Sequence, residues 1–303
     1  MTGRAVTRGA VLAAALAIVL PAAAQEAVDP EPLRQRALDL VNAARIERGV
    51  AALAPGPALD EAAQDHAEDM LEQDYYAHVA PDGETPADRF RAAGGSRWAL
   101  SGENIARCTG CAPPPDTARV EAFQEGWMQS PGHRENILDP GFDRFGFGIA
   151  GGADQTYAVQ TFAGPGEAGD GPRLDAAGAR AAALEEVNRR RQDEDLASLE
   201  ASEALDAVAE RVLDARLSGQ EMPEGLFDLL PEGASGWTSL TVRSASRGGS
   251  GAELSQGDVV TFVERLASGG PPPGRARASH LGFAAAARDD GRNVAVAVFG
   301  GRD

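Results

Sequence analysis

The segment LDLVNAAR, Leu38 to Arg45, recurs as LEEVNRRR, Leu184 to Arg191, so that Asn42 and Asn188 stand 146 residues apart. The same offset carries Leu53 onto Leu199, Leu59-Asp60 onto Leu205-Asp206, Ala63 onto Ala209 and Leu71 onto Leu217. One register held through two helical stretches and their connection constrains the chain to two related units. Toward the end of each unit, FGFGIA at 145–150 resembles LGFAAA at 281–286, and AVQTF at 158–162 resembles AVAVF at 295–299. Between them, Gly164 to Pro172 is a Gly/Pro/acid run that no helix or regular strand tolerates. This places a linker at 164–174, a first domain at 30–163 and a divergent second domain at 175–303. The divergence is informative: His66 and Met70 become Val212 and Arg216, and Gly269 to Gly274 replaces the segment Ser130-Pro131-Gly132-His133. His280 falls opposite Arg144 and is not a relocated copy of His133.

The chain opens with Arg4 and Arg8, an apolar run from Ala10 to Leu20, and Ala22-Ala23-Ala24, the pattern of a secretory signal peptide over residues 1–24. The run is shorter than the roughly 20 residues a spanning helix needs, so no membrane span is expected and the mature chain should be secreted or periplasmic. The formal charge of −18 and the lack of a basic stripe interleaved with aromatics argue against a nucleic-acid partner. A hydrophobic fraction of 43% supplies material for two cores. Cys108-Thr109-Gly110-Cys111 would suggest redox or metal chemistry in a reducing compartment. Behind an export signal, with no further cysteine and with Pro113-Pro114-Pro115 following, a short-loop disulfide between Cys108 and Cys111 is the favoured reading.

Apolar periodicity predicts helices over Pro32–Arg48, Leu59–Gln73, Thr85–Ala93 and Thr117–Gln129, and strands over Phe145–Ala150 and Thr156–Phe162. His66 shares the apolar face of the second helix with Leu59, Ala62, Ala63, Ala67 and Met70, which marks it as a core histidine. Three other segments are polar where packing gives no reason. YYAHVAPDGETP places His78 before a Pro81-Asp82-Gly83 turn, SGENIA places Glu103 and Asn104 between a glycine and an apolar pair, and WMQSPGHRENIL places His133 in a Pro-Gly turn after Trp127. For Asn104 a loop clamp, with side-chain oxygens on backbone N–H groups, is the simpler reading; for Glu103 it competes evenly with a site role.

AQDHAEDMLEQDYYAHVAPDGETPADR, GENIA, WMQSPGHRENIL and FGFGIA…YAVQTF, in that order over about residues 33 to 163, resemble the CAP superfamily of cysteine-rich secretory, antigen-five and pathogenesis-related proteins, in particular its bacterial SCP-like branch. The resemblance implies an α+β fold, a three-layer α-β-α sandwich, here twice in tandem, with an open cleft lined by two histidines and acids. Carried over by residue, His78 and His133 match the cleft histidines and Glu103 the acid of the G-E-N motif. The family's second acid, shortly after the helix tryptophan, has no match, since Met128, Gln129 and Ser130 follow Trp127; Glu125 on its other side is the one substitute.

Two neutral imidazoles, His78 and His133, with a carboxylate nearby suit Zn²⁺ or another divalent cation with open positions. His133 and Glu103 would alternatively serve as general base and acid. Tyr75, Tyr76 and Trp127 read as packing of the cleft walls or core. The leading expectation is a secreted cleft domain that binds a small ligand, lipid, peptide or cell-wall fragment, with or without a divalent metal. Catalysis is left open, the competing classes being a metal-dependent secreted hydrolase and an envelope scaffold.

Overall fold

A computed structural model describes residues 30–111, 113–152, 154–220, 225–268 and 278–302; the expected signal peptide and the Gly269–Gly274 replacement lie outside the described residues. In the first half, α1 (Glu31–Glu47) buries Leu33, Ala37, Leu38, Val41 and Arg45 along one stripe. Next come β1 (Ala54–Pro55), α2 (Pro57–Glu72) and α3 (Pro86–Ala92), the last closed by a reciprocal Thr85/Asp88 capping box. β2 (Leu100–Thr109), α4 (Thr117–Gln129), α5 (Pro131–Leu138), β3 (Arg144–Gly151) and β4 (Gln155–Gly164) follow, and the sheet order is β1-β3-β4-β2.

Helices cover both faces of this sheet, so β3 and β4 are buried at nearly every position rather than at alternate ones. Leu33, Val41, Phe123, Trp127 and Ile137 pack on one face with Phe147 and Phe162; Ala63, Ala67 and Met70 of α2 pack on the other with Tyr157 and Val159. The FGFG motif lets α2 approach the sheet. A Cβ at Gly146 would stand 2.2 Å from the Leu59 carbonyl carbon, and one at Gly148 2.3 Å from that of Ala63.

Two segments differ from expectation. SPGH is not a turn: Pro131 is the first residue of α5, where a preset φ and a missing N–H favour helix, and His133 sits in that helix's first turn. GENIA is strand β2, whose burial runs through Glu103, Asn104 and Ile105 consecutively, so no alternation betrayed it.

The second half repeats the pattern with α6 (Ala176–Asp193), β5 (Glu200–Ala201), α7 (Glu203–Ser218), β6 (Trp237–Arg247), α8 (Gln256–Ser268), β7 (His280–Ala287) and β8 (Asn293–Arg302) in the order β5-β7-β8-β6. Side-chain clamps recur at the same offset. Asn42 Nδ2 donates to Leu53 O at 3.0 Å and its Oδ1 accepts from Leu53 N at 2.7 Å, and Asn188 does the same with Leu199 at 2.9 and 2.7 Å. Asp60 Oδ1 accepts from Phe147 N at 2.9 Å, and Asp206 Oδ1 from Phe283 N at 2.8 Å. Arg144 heads β3 opposite Ala54, and His280 heads β7 opposite Glu200. By the same registers, Glu103, paired with Thr161, corresponds to Val242, paired with Val298. In the place of α3 the second half has a three-residue 3₁₀ turn, Phe227–Leu229, and no helix equivalent to α5 occurs among the described residues.

The Gly/Pro run is fastened to the second half. Isolated bridges pair Gly166 with Ser250 and Arg173 with Ser255, and Gly251 N donates to Pro165 O at 2.8 Å. On the first-half side, Arg97 and Arg292 each stack on the Trp98 ring, at 4.4 and 4.7 Å from its centroid, and Trp98 O accepts from Gly249 N at 2.8 Å. No helix among the described residues is long and apolar enough to cross a membrane.

Candidate functional site

β2 is an edge strand, and the candidate site is built around its first turns from both faces of the sheet. On the α2 face, the Glu103 side chain is only 2% exposed. A carboxylate so buried requires a cation, and Arg89 of α3 supplies it, with Nη2 donating to Glu103 Oε2 at 2.9 Å. The same Nη2 donates to His78 O at 2.8 Å and Nη1 donates to Glu84 O at 3.3 Å, so Arg89 pins the turn carrying His78 to the strand carrying Glu103. His78 Nδ1 donates to Glu103 Oε1 at 2.7 Å. Both carboxylate oxygens are thus engaged, and the half-exposed His78 ring turns Nε2 outward without a hydrogen-bond partner among the described residues.

On the opposite face, Asn104 is fully buried and ties β2 to α5 and α4. Its Nδ2 donates to His133 O at 3.1 Å and to Gln160 Oε1 at 3.0 Å, and its Oδ1 accepts from Asn136 Nδ2 at 2.9 Å. Asn136 Nδ2 also donates to Glu103 O at 3.1 Å, and Gln160 Nε2 donates to Gln124 Oε1 at 2.8 Å. Asn104 is therefore not the expected loop clamp with a side-chain oxygen on backbone N–H groups: it lies within a strand and its Nδ2 donates to the His133 carbonyl. It fixes the backbone of His133, and so the first turn of α5. The edge carbonyl Ile105 O accepts from Tyr76 OH and Trp127 Nε1, each at 3.0 Å, which protects the edge and places these two aromatics in the walls.

His133 is half-buried, and its pKa is lowered first by burial and then by the neighbouring charge of His78. The charge of His78 is thus felt at His133, and each of these histidines sits on a scaffold tied to β2. His66 is buried in α2 as the apolar stripe requires, with Nε2 donating to Ala77 O at 3.0 Å. It is also 3.9 Å from Glu103 Oε1, and its pKa is lowered, chiefly by burial. Tyr75 OH, 3.3 Å from His66 Nδ1, donates to Asp69 Oδ2 at 2.5 Å.

Glu125 does not replace the missing second acid, since it is exposed and accepts from Gln129 Nε2 at 3.2 Å, whereas the adjacent Gln124 is the buried residue. Among the described residues no three His, Cys, Asp or Glu side chains converge as a metal set. Cys108 and Cys111 are joined as a disulfide at the end of β2, with Cα atoms 5.9 Å apart.

Sequence reasoning missed Arg89, Asn136 and Gln160. The available signal was Glu103 itself: a carboxylate in an apolar strand demands a cation.

Residues 38–162 match the family described as CAP, the cysteine-rich secretory protein family. The chain is 32% identical over 114 residues to the uncharacterized protein YkwD of Bacillus subtilis strain 168, covering 38% of this chain and 41% of that one. It is 34% identical over 125 residues to the uncharacterized membrane protein YlbC of the same organism, covering 41% and 32%. It thus spans less than half the length of either relative. An extracellular protein containing an SCP domain from Bacillus anthracis strain Ames, of known structure, is similar at 28% identity and a TM-score of 0.36, over 46% of this chain and 44% of that one.

Proposed function

Because residues 38–162 match the cysteine-rich secretory protein (CAP) family, we propose that this chain is an exported binding protein whose first-half cleft takes a small ligand, lipid, peptide or cell-wall fragment between His78 and His133. The observation that carries this reading is the commitment of Glu103, whose two oxygens are held by Arg89 and His78. A carboxylate so held orients groups and does not accept a proton from substrate without giving up a buried ion pair. That favours binding over the hydrolase reading, in which Glu103 or His133 would move protons.

The donor set also suits a divalent ion. His78 through Nε2 and His133 would hold Zn²⁺ or a similar cation, and burial favours the neutral, ligating form of His133. Two protein ligands leave positions for a ligand to complete, so the ion would supply a Lewis-acidic anchor for an oxygen of the bound molecule. The second half, with Val212 and Val242 where the first has His66 and Glu103, is on this reading a divergent copy serving as a structural or interaction module.

Calorimetric titration of Zn²⁺ into residues 25–303 at neutral pH tests the pair. Stoichiometric binding lost in both His78→Ala and His133→Ala is the expected result. Binding that survives both substitutions would overturn the two-imidazole site, and chelator-sensitive turnover of casein or peptidoglycan would favour the hydrolase instead.

A further inference from the structure

Aligning the 13-residue helices α4 and α8 end to end sets Gln124 opposite Val263 and Trp127 opposite Leu266. The sheet registers set Gln160, paired with Phe147, opposite Ala297, paired with Phe283. Three side chains that fill the space between helices and sheet in the first half are therefore smaller in the second. Ile137 and Phe142, buried in that first-half core, have no counterpart among the described residues. Among the described residues, what remains between α6, α8 and the sheet is a cavity of about 290 Å³ walled by Val187, Val263, Leu266, Phe283, Ala297 and Phe299.

Arg191 also lines this cavity and is 6% exposed. Its Nε donates to Ala197 O at 2.7 Å, just as Nε of its counterpart Arg45 donates to Ala51 O at 2.6 Å. There the likeness ends. Arg45 Nη1 donates to Ile137 O and Asp139 O, both at 2.9 Å, and Nη2 to Phe142 O at 3.2 Å, whereas the two NH₂ groups of Arg191 have no hydrogen-bond partner among the described residues. Neither NH₂ group is among the enclosed polar atoms left without a partner, so both remain solvent-accessible donors at the cavity wall.

We propose that the second-half cavity docks a peptide segment of a partner protein, the last turn of a helix and the turn after it, with an apolar side chain in the cavity and its backbone carbonyls on Arg191. The molecule itself names the chemistry, because in the first half the equivalent groove and arginine hold such a segment, Ile137 to Phe142, in cis. The bonds Arg45 makes there go to neutral carbonyls. At the cavity mouth, Asp193 and Glu194 stand beside Arg189 and Arg190, so the local field does not select an anion. The proposal rests on reading the second half as a copy that became an interaction module. Its test does not touch the His78/His133 cleft, so the two readings fail separately.

The probe is a fluorescein-labelled peptide of residues 135–143, ENILDPGFD, titrated with the full chain by fluorescence anisotropy. Saturable one-to-one binding is expected. It should be abolished by Leu266→Trp, which restores the side chain found at Trp127, and weakened about tenfold by Arg191→Lys, the scale of one charge-assisted hydrogen bond. A peptide carrying Ile137→Asp should not bind. Val263→Phe is a second filling variant should Leu266→Trp fail to fold, judged by its thermal transition. No saturable binding, binding indifferent to the filling variants, or tighter binding of decanoate at the same cavity would each overturn the proposal, the last by making it a site for an apolar carboxylate.

Discussion

Replacing Arg89 with methionine removes the cation from beside a carboxylate that cannot reach water. The side chains of Arg89 and Glu103 are 5% and 2% exposed and their charged atoms 2.9 Å apart, so solvent screens the pair little. At an effective dielectric near 20 their attraction is about 6 kcal/mol, and breaking a buried pair by removing one partner costs about 3–5 kcal/mol. Arg89→Met also leaves His78 O without its 2.8 Å donor, so the cost should lie toward the upper end of that range. Glu103→Val installs the residue that the matching strand position carries as Val242. The Arg89→Met/Glu103→Val double variant should therefore be more stable than Arg89→Met alone, with a coupling of about 2 kcal/mol or more. Urea unfolding followed by tryptophan emission in a Trp237→Phe background reads the first half. The two halves are analysed as separate transitions, because a single two-state fit is not justified for such a chain. If Arg89→Met costs less than about 1 kcal/mol, or if the two substitutions add without coupling, Glu103 does not depend on Arg89 and the account of the site fails.

Burial lowers the pKa of His66 from 6.5, so below that value the unfolded chain binds more protons than the folded one. Its contribution is complete above pH 6.5 and is lost as pH falls from there through the folded value. His66→Val should flatten the fall in thermal stability between about pH 7.5 and about pH 5, leaving the part due to His133; an unchanged slope would show that His66 is not held neutral. Gly148→Ala would drive a Cβ to 2.3 Å from the α2 backbone and should cost about 3 kcal/mol in the same melts. Gly126→Ala, in α4 with nothing within 4 Å, should instead stabilise by up to about 1 kcal/mol, and equal effects at the two glycines would refute the close-approach explanation.

The parts of the fold legible in the sequence are those with local periodicity or an internal echo. The stripes of α1 and α2 follow from helix geometry, and the Asn42 and Asn188 clamps lie in the very segments that first revealed the repeat. β2 escaped because an edge strand wedged between two helical faces buries Glu103, Asn104 and Ile105 in succession, and no period-2 signal survives. α5 escaped because proline and glycine punctuate turns more often than they open helices. At the site, the motif residues were visible, but their supports were not. Arg89 reaches Glu103 across 14 residues and Gln160 reaches Asn104 across 56, contacts that only the folded sheet creates.

The stitched run between the halves bears on how force and motion pass through the molecule. Composition would make residues 164–174 a slack tether, yet Gly166 and Arg173 are laced to Ser250 and Ser255, and Arg292 of the second half stacks on the ring of Trp98. Trp98 stands two residues before β2, the strand from which Glu103 and Asn104 organise both histidines. Any swing of the second half must peel Arg292 from that ring or drag the root of the strand with it. A load borne by the C-terminal half is thus transmitted to the lip of the histidine cleft.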